Sequence, residues 1–179
     1  MDNSEKKSNM DLRLAKTGDL PQLKTMYQQI VEHMNKNGIQ IWDEVYPCEF
    51  LGEDIENKQL YVLEKRGEIV SAFALCDSNA GAEAVAWEDK NADALYIDRL
   101  GVKVSAMGTG IGSAVLDKAI VLAKERGAKY LRLFVVDRNK PAINLYIKKG
   151  LKKAGGCYDE VIDEELTLRE YGFEVETSK

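Results

Sequence analysis

With 179 residues, 45% hydrophobic and 31% charged, the chain is long enough to bury a core of its own and has neither a disordered nor a membrane composition. A net charge of -5 with no visible basic patch argues against a nucleic-acid surface. A single histidine, His33, and three scattered cysteines, Cys48, Cys76 and Cys157, supply neither a zinc ligand set nor a disulfide framework, so no metal is expected.

Residues 1–10 read as a flexible polar tail ahead of a single domain over residues 11–179. The tail lacks an apolar signal core, and no apolar run is long enough for a bilayer, so a cytoplasmic protein without membrane contact is expected. A first strand is predicted over residues 12–15. Asp19 can cap a helix over residues 20–37, where Leu20, Leu23, Tyr27, Ile30, Val31 and Met34 recur at helical spacing until Gly38 stops it. Pro21 falls in the first turn, where its missing N–H does no harm. His33 lies on this helix in a structural or surface role.

Residues 39–49 are loop-like and aromatic. Trp42 can cap the core, or with Tyr46 it can wall a substrate pocket, since rigid rings beside Asp43 and Glu44 suit an organic amine. A short helix follows over residues 50–58. Residues 60–64 and 69–76 form a hairpin about Arg66-Gly67, and residues 77–93, Trp87 apart, read as a surface excursion.

The densest signal begins at a strand over residues 95–104. A glycine loop over residues 107–112 leads into a helix over residues 113–126, whose Ala114, Val115, Ala119, Ile120 and Ala123 make one packing face. A mostly apolar, hence central, strand follows over residues 130–137, then a helix over residues 139–149. Residues 151–158 and 165–171 look like a closing strand pair joined by an acidic segment.

Gly108, Gly110 and Gly112 alternate where a strand gives way to a helix, which lets backbone N–H groups approach a bulky anion. A kinase-type phosphate loop fits badly, because Gly112 is followed by Ser113-Ala114 and not by Lys-Ser/Thr. A dinucleotide fingerprint also fits badly, because it needs glycine where Ser113 stands.

The segment from Leu100 to Gly112 resembles the acetyl-CoA loop, Arg/Gln-x-x-Gly-x-Gly/Ala, of the GCN5-related N-acetyltransferase (GNAT) superfamily. Gly110 and Gly112 occupy the two small positions, and Met107 stands where Arg or Gln is usual. Downstream, Asn139, Ala142, Tyr146 and Gly150-Leu151 resemble the same family's Asn-x-x-Ala-x-x-x-Tyr-x-x-x-Gly-Phe helix. The family's element order is similar too. The resemblance implies an α/β (α+β) fold: a mixed, mostly antiparallel central sheet of about seven strands, splayed at the cofactor site, with helices on both faces.

It also implies acetyl-CoA as acyl donor, with backbone groups of Leu100 and Val102 pairing with the pantetheine arm. The N–H groups of Met107, Gly108, Thr109, Gly110, Gly112 and Ser113 would cradle the pyrophosphate, Met107 through its backbone alone. Asn139 can cap its helix and reach the coenzyme's amides. Tyr146, seven residues on, is placed to protonate the departing thiolate, and a core tyrosine is the plainer alternative. Only about one alkylamine in a thousand is unprotonated at pH 7, so a base helps. Asp98 is the candidate, with Tyr96 on the same face if no bulge intervenes.

The expected activity is acetyl transfer from acetyl-CoA to a primary amine, small molecule or peptide, by direct attack in a ternary complex. No covalent acyl-enzyme is expected, since neither Cys76 nor Cys157 has a partner that would lower its pKa. A non-catalytic acyl-CoA sensor of the same fold and a nicotinamide-linked oxidoreductase stay open as rival classes, and a homodimer is compatible with the sequence.

Overall fold

The computed structural model describes residues 9–178. The tail expected over residues 1–10 lies outside them apart from Asn9 and Met10, and Met10 already opens the first strand. In chain order the elements begin β1 (Met10–Leu14), α1 (Leu20–Lys36), α2 (Leu51–Glu56), β2 (Leu60–Lys65), β3 (Glu68–Cys76), β4 (Val85–Ala86) and β5 (Ala94–Val102). Then come α3 (Ile111–Glu125), β6 (Tyr130–Val136), α4 (Lys140–Lys148), β7 (Lys152–Lys153), β8 (Gly155–Gly156), β9 (Tyr158–Val161) and β10 (Thr167–Glu176).

The chain divides into two compact units, one of Met1–Ala74 with Arg99–Val115, the other of Leu75–Asp98 with Leu116–Lys179. In the first, β1, β2 and β3 pair antiparallel in that order, followed by the C-terminal part of β5. In the second, β5 pairs parallel with β6 from Ala94 to Ile97, β6 pairs antiparallel with β10, and β10 carries β7 and β9. Among the described residues eight strands make one mixed, mostly antiparallel sheet, close to the seven expected, and β4 and β8 form a separate pair.

Local sequence explains much of the first unit. Arg66 and Gly67 have φ of +53° and +78°, so they form the two-residue mirror-image turn whose twist suits a hairpin, and Lys65 opposes Glu68 across it. On α1 the residues Leu23, Met26, Tyr27, Ile30, Val31 and Met34 are buried, as their spacing predicts, and His33 is exposed. Asp19 does precede α1 but does not cap it. Its carboxylate instead takes two hydrogen bonds from Arg13 at 2.8 and 3.0 Å and one from the Lys16 N–H at 2.7 Å, closing the short turn before the helix.

Residues 77–93 lie mostly at the surface with Trp87 the exception, as expected. Trp87 is buried against Tyr96 and Phe134, at ring separations of 6.3 and 5.6 Å, and donates its indole N–H to Ala82 C=O at 2.9 Å. Beneath the Trp87 ring, 4.6 Å from its centroid, lies the buried Arg132 guanidinium, with a Glu174 carboxylate oxygen 3.9 Å away. An aromatic anchor and a buried ion pair outweigh the polar composition of the segment. One other expectation for the second unit needs correction: the closing strand pair is β9 with β10, and β10 runs on to Glu176 because its second half pairs with β6.

Candidate functional site

The glycine loop lies in the first unit. The strand ends at Val102, a single turn of tight helix spans Val104–Ala106, and α3 starts at Ile111, two residues before the predicted start. The early start puts Gly112 and Ser113 in the first turn of the helix. Ala114 N–H makes the first intrahelical bond, to Gly110 C=O at 3.0 Å, so the N–H groups just ahead of it are helix-start donors with no partner inside the helix. Gly108 and Gly110 have φ of +73° and +87°, and a Cβ at either would meet nothing within 4 Å. Thr109 turns its hydroxyl back to Ala106 C=O at 2.5 Å, which fixes the bend. Met107 through Gly110 are exposed, and Ile111 is buried and anchors the turn. The result is an exposed turn that ends in helix-start donors, with one correction to the expected set: the Met107 N–H is not free, because it donates to Val104 C=O at 3.2 Å and closes the tight turn before the glycines.

Leu100 and Val102 belong to the part of β5 that follows β3. Lys103 N–H donates to Val70 C=O at 2.8 Å, and Gly101 C=O accepts from the Ser71 hydroxyl at 2.7 Å. Residues 101 and 103 therefore face β3, and strand alternation turns the main-chain groups of Leu100 and Val102 away from it.

The aromatic loop is also in the first unit. Trp42 is half-buried, with Tyr27 on one side at 5.8 Å and Tyr46 on the other at 6.3 Å, and Tyr46 meets Phe50 at 5.2 Å. Asp43 and Glu44 are exposed beside it. The sequence reading missed what these rings surround. The Arg99 guanidinium lies 5.9 Å from the Tyr46 ring centroid and 5.7 Å from that of Phe50, and it donates two hydrogen bonds to Asp54 at 2.8 and 2.7 Å. Burial pushes the Asp54 carboxyl up, and the Arg99 hydrogen bonds pull against that. Forty-five residues separate the partners, so no local pattern could reveal them.

The second unit holds the other candidates. Asn139 stands at the N-cap of α4, and its side-chain oxygen accepts from Ala142 N–H at 3.3 Å, so the capping role is realised. Tyr146, two turns on, is buried and packs on Phe173 at 6.1 Å. Burial pushes its phenol well above the ordinary range, so it is protonated at neutral pH. Among the described residues its hydroxyl donates no hydrogen bond. Tyr96 is buried with Trp87 and Ala154. Asp98 is half-buried and accepts from the Asn79 side chain at 3.3 Å.

The residue after Asp98, Arg99, is left-handed at φ +55°, but it lies beyond both Tyr96 and Asp98 and does not interrupt the strand between them. A carboxylate the sequence reading did not single out is Glu170. Burial, then the charge of and hydrogen bond with Glu160, then the charge of Asp98, push its carboxyl up to about 8.

The sequence profile of the Acetyltransferase (GNAT) family matches residues 25–151. The chain belongs to this family. As a GNAT protein it is 28% identical over 148 residues to YwnH of Bacillus subtilis (strain 168), covering 82% of this chain and 86% of that one. The YwnH name carries a provisional phosphinothricin acetyltransferase assignment. Among solved structures, a GNAT-family acetyltransferase from Streptococcus agalactiae 2603 superposes with a TM-score of 0.78 at 18% identity, over 93% of this chain and 95% of that one. The yncA structure from Salmonella typhimurium, solved with its cofactor acetyl-CoA, superposes with a TM-score of 0.64 at 17% identity, over 95% of both chains. At such identities the two structures speak for the fold alone.

Proposed function

We propose that this GNAT protein is an acetyl-CoA-dependent N-acetyltransferase that acetylates a primary amine by direct attack in a ternary complex. The observation that carries the reading is the backbone from Leu100 to Ser113. Main-chain groups of Leu100 and Val102 turn away from β3, and they lead into a loop whose helix-start N–H groups and positive-φ glycines lie open. Those groups fit coenzyme A: Leu100 and Val102 would hold the pantetheine amides as an added strand holds its neighbour, and the N–H groups of Gly108 to Ser113 the diphosphate, that of Met107 being spent on Val104 C=O at 3.2 Å. Acetyl-CoA, when bound, supplies an activated thioester carbonyl.

The chain's own residues do the rest. An N–H near Val102 stabilises the developing oxyanion, a contact type worth about 100- to 1000-fold in rate. Tyr146, protonated and with its hydroxyl uncommitted, gives its proton to the leaving thiolate. Asp98, oriented by Asn79, takes a proton from the ammonium. Trp42 and Tyr46 wall the amine, and the exposed Asp43 and Glu44 favour a cationic acceptor. Tyr96, two residues before Asp98 on the same strand and packed on Trp87, would line the acceptor side beside it.

Thiol release from acetyl-CoA across spermidine, lysine, glucosamine and tyramine tests the reading. At least one amine is expected to be turned over. Tyr146→Phe should keep acetyl-CoA affinity within about twofold and slow turnover about 100-fold or more. Acetyl-CoA binding with no thiol release on any amine would favour the non-catalytic sensor instead. A thermal shift with NADH and none with acetyl-CoA would favour the oxidoreductase class.

A further inference from the structure

Asp98 and Glu170 stand on one face of the sheet in the second unit. Directly opposed residues of paired strands share a face, and so do residues two apart on one strand. Tyr96 opposes Arg132 and Arg132 opposes Glu174, so Asp98, two past Tyr96, and Glu170, four before Glu174, belong to the same face. Glu170 also opposes Tyr158 of β9, and Glu160 follows Tyr158 two residues later. The Glu160 and Glu170 side chains are hydrogen-bonded to each other.

The segment ahead of β4 lies over this face. Asn79 accepts the Gly81 N–H on its side-chain oxygen at 2.9 Å and donates from its amide nitrogen to Asp98 at 3.3 Å. A Cβ at Gly81 would come within 2.8 Å of the Tyr158 ring and 2.9 Å of the Phe134 ring, so the backbone there is pressed onto both. Asp98, Glu160 and Glu170 are each half-buried.

The influences on Glu170 all push one way. Burial acts first, then the charge of and hydrogen bond with Glu160, then the charge of Asp98, and together they bring its carboxyl up to about 8. Val136, opposite on β6, is apolar, and Arg169 turns to the other face, where it pairs with Asp159 at 2.9 Å. Asp77 and Glu83 of the covering segment are exposed. At neutral pH Glu170 therefore keeps a proton and shares it with Glu160. In alkaline solution it adds a negative charge to the face that holds Asp98. Coupling of two titrating groups is reciprocal, so if charged Asp98 favours the proton on Glu170, charged Glu170 favours a proton on Asp98 by the same free energy.

We propose that Glu170 is a positioning residue for proton transfer that acts through Asp98, strengthening that base when ionised and leaving it weaker while it shares a proton with Glu160. The inference rests on the acetyltransferase reading, in which Asp98 takes the acceptor's proton. In that step an N–H bond of the ammonium breaks and an O–H bond forms on Asp98. Glu170 changes the proton affinity of Asp98 and makes no bond to the acceptor.

The ratio of variant to wild-type kcat/KM on one amine cancels the amine's own ionisation and isolates that of Glu170. Glutamine imitates the protonated carboxyl at every pH. For Glu170→Gln the ratio should fall about threefold between pH 6.5 and pH 9.5, a change that a purely structural role would not produce. Carboxyl-carbon NMR reads the same coupling without turnover. The Glu170 midpoint should lie at about 8 in wild type and move to lower pH in Asp98→Asn and in Glu160→Gln.

If thermal melts show that Glu170→Gln does not fold, the NMR midpoints of the wild type and the other two variants carry the test. A ratio that stays flat over this range, or a Glu170 midpoint that Asp98→Asn leaves in place, would overturn the proposal. A wild type that releases no thiol with any amine would instead sink the acetyltransferase reading, while the midpoints still report whether the two carboxyls are coupled.

Discussion

Gly110 sits at φ +87° with open space where a side chain would go, so a substitution there is limited by backbone conformation and by what the new group does to a ligand. Aspartate and asparagine enter the left-handed region more readily than other residues and are nearly the same size. Gly110→Asp should abolish acetyl-CoA binding by calorimetry, and Gly110→Asn should retain a measurable part of it. Equal loss in both would assign the effect to strain and remove the diphosphate from the argument. Tyr146 presents the same contrast between structure and chemistry. A tyrosine seven residues past a capping asparagine is visible in sequence, but its burial on Phe173 and its uncommitted hydroxyl are not, because both depend on residues from other elements.

At the scale of elements, the hairpin and α4 are built from local chemistry. Gly67 at φ +78° supplies the turn between β2 and β3, so Gly67→Ala should lower stability by about 1 kcal/mol in urea melts. Arg66, at φ +53°, is a residue type the turn tolerates poorly, and Arg66→Asn should raise stability by about 0.5 kcal/mol. The Asn139 cap should be worth about 1 kcal/mol, with Asn139→Ser recovering most of what Asn139→Ala loses. If Asn139→Ser restores stability and not the acetyl-CoA Kd, the residue contacts the coenzyme as well as capping α4.

For the whole molecule, buried carboxyls set the pH dependence of stability. Asp54, Glu170 and Glu174 all have pKa values raised by burial. A carboxyl raised in the folded state holds its proton more tightly there than in the unfolded chain. Its stabilising effect is complete below the unfolded value, near 4, and is lost as pH climbs through the folded value, about 8 for Glu170. The Tm should therefore fall from pH 5 to pH 9, and Glu170→Gln should flatten that slope. A Tm that rises with pH over this range would refute the assignment. Ligand linkage adds a second global readout. Acetyl-CoA at about 100 times its Kd should add about 2.7 kcal/mol of stability, or roughly 5 to 10 °C in Tm for a chain of this size.

The amino-acid order alone determined the features whose causes lie within a few residues: the hairpin turn at Arg66-Gly67, the apolar face of α1, the glycine loop into α3, and the cap and tyrosine of α4. These are set by φ preference, capping and periodicity, which neighbouring residues decide together. Only the tertiary structure decided the rest. Trp87 became core because Arg132 and Phe134 pack against it, Glu170 acquired its high pKa from burial first and then from Glu160 and Asp98, and Arg99 found its buried partners in Tyr27 and Asp54. In each case the cause is a partner tens of residues away or the water excluded between strands, and neither leaves a mark on the local sequence.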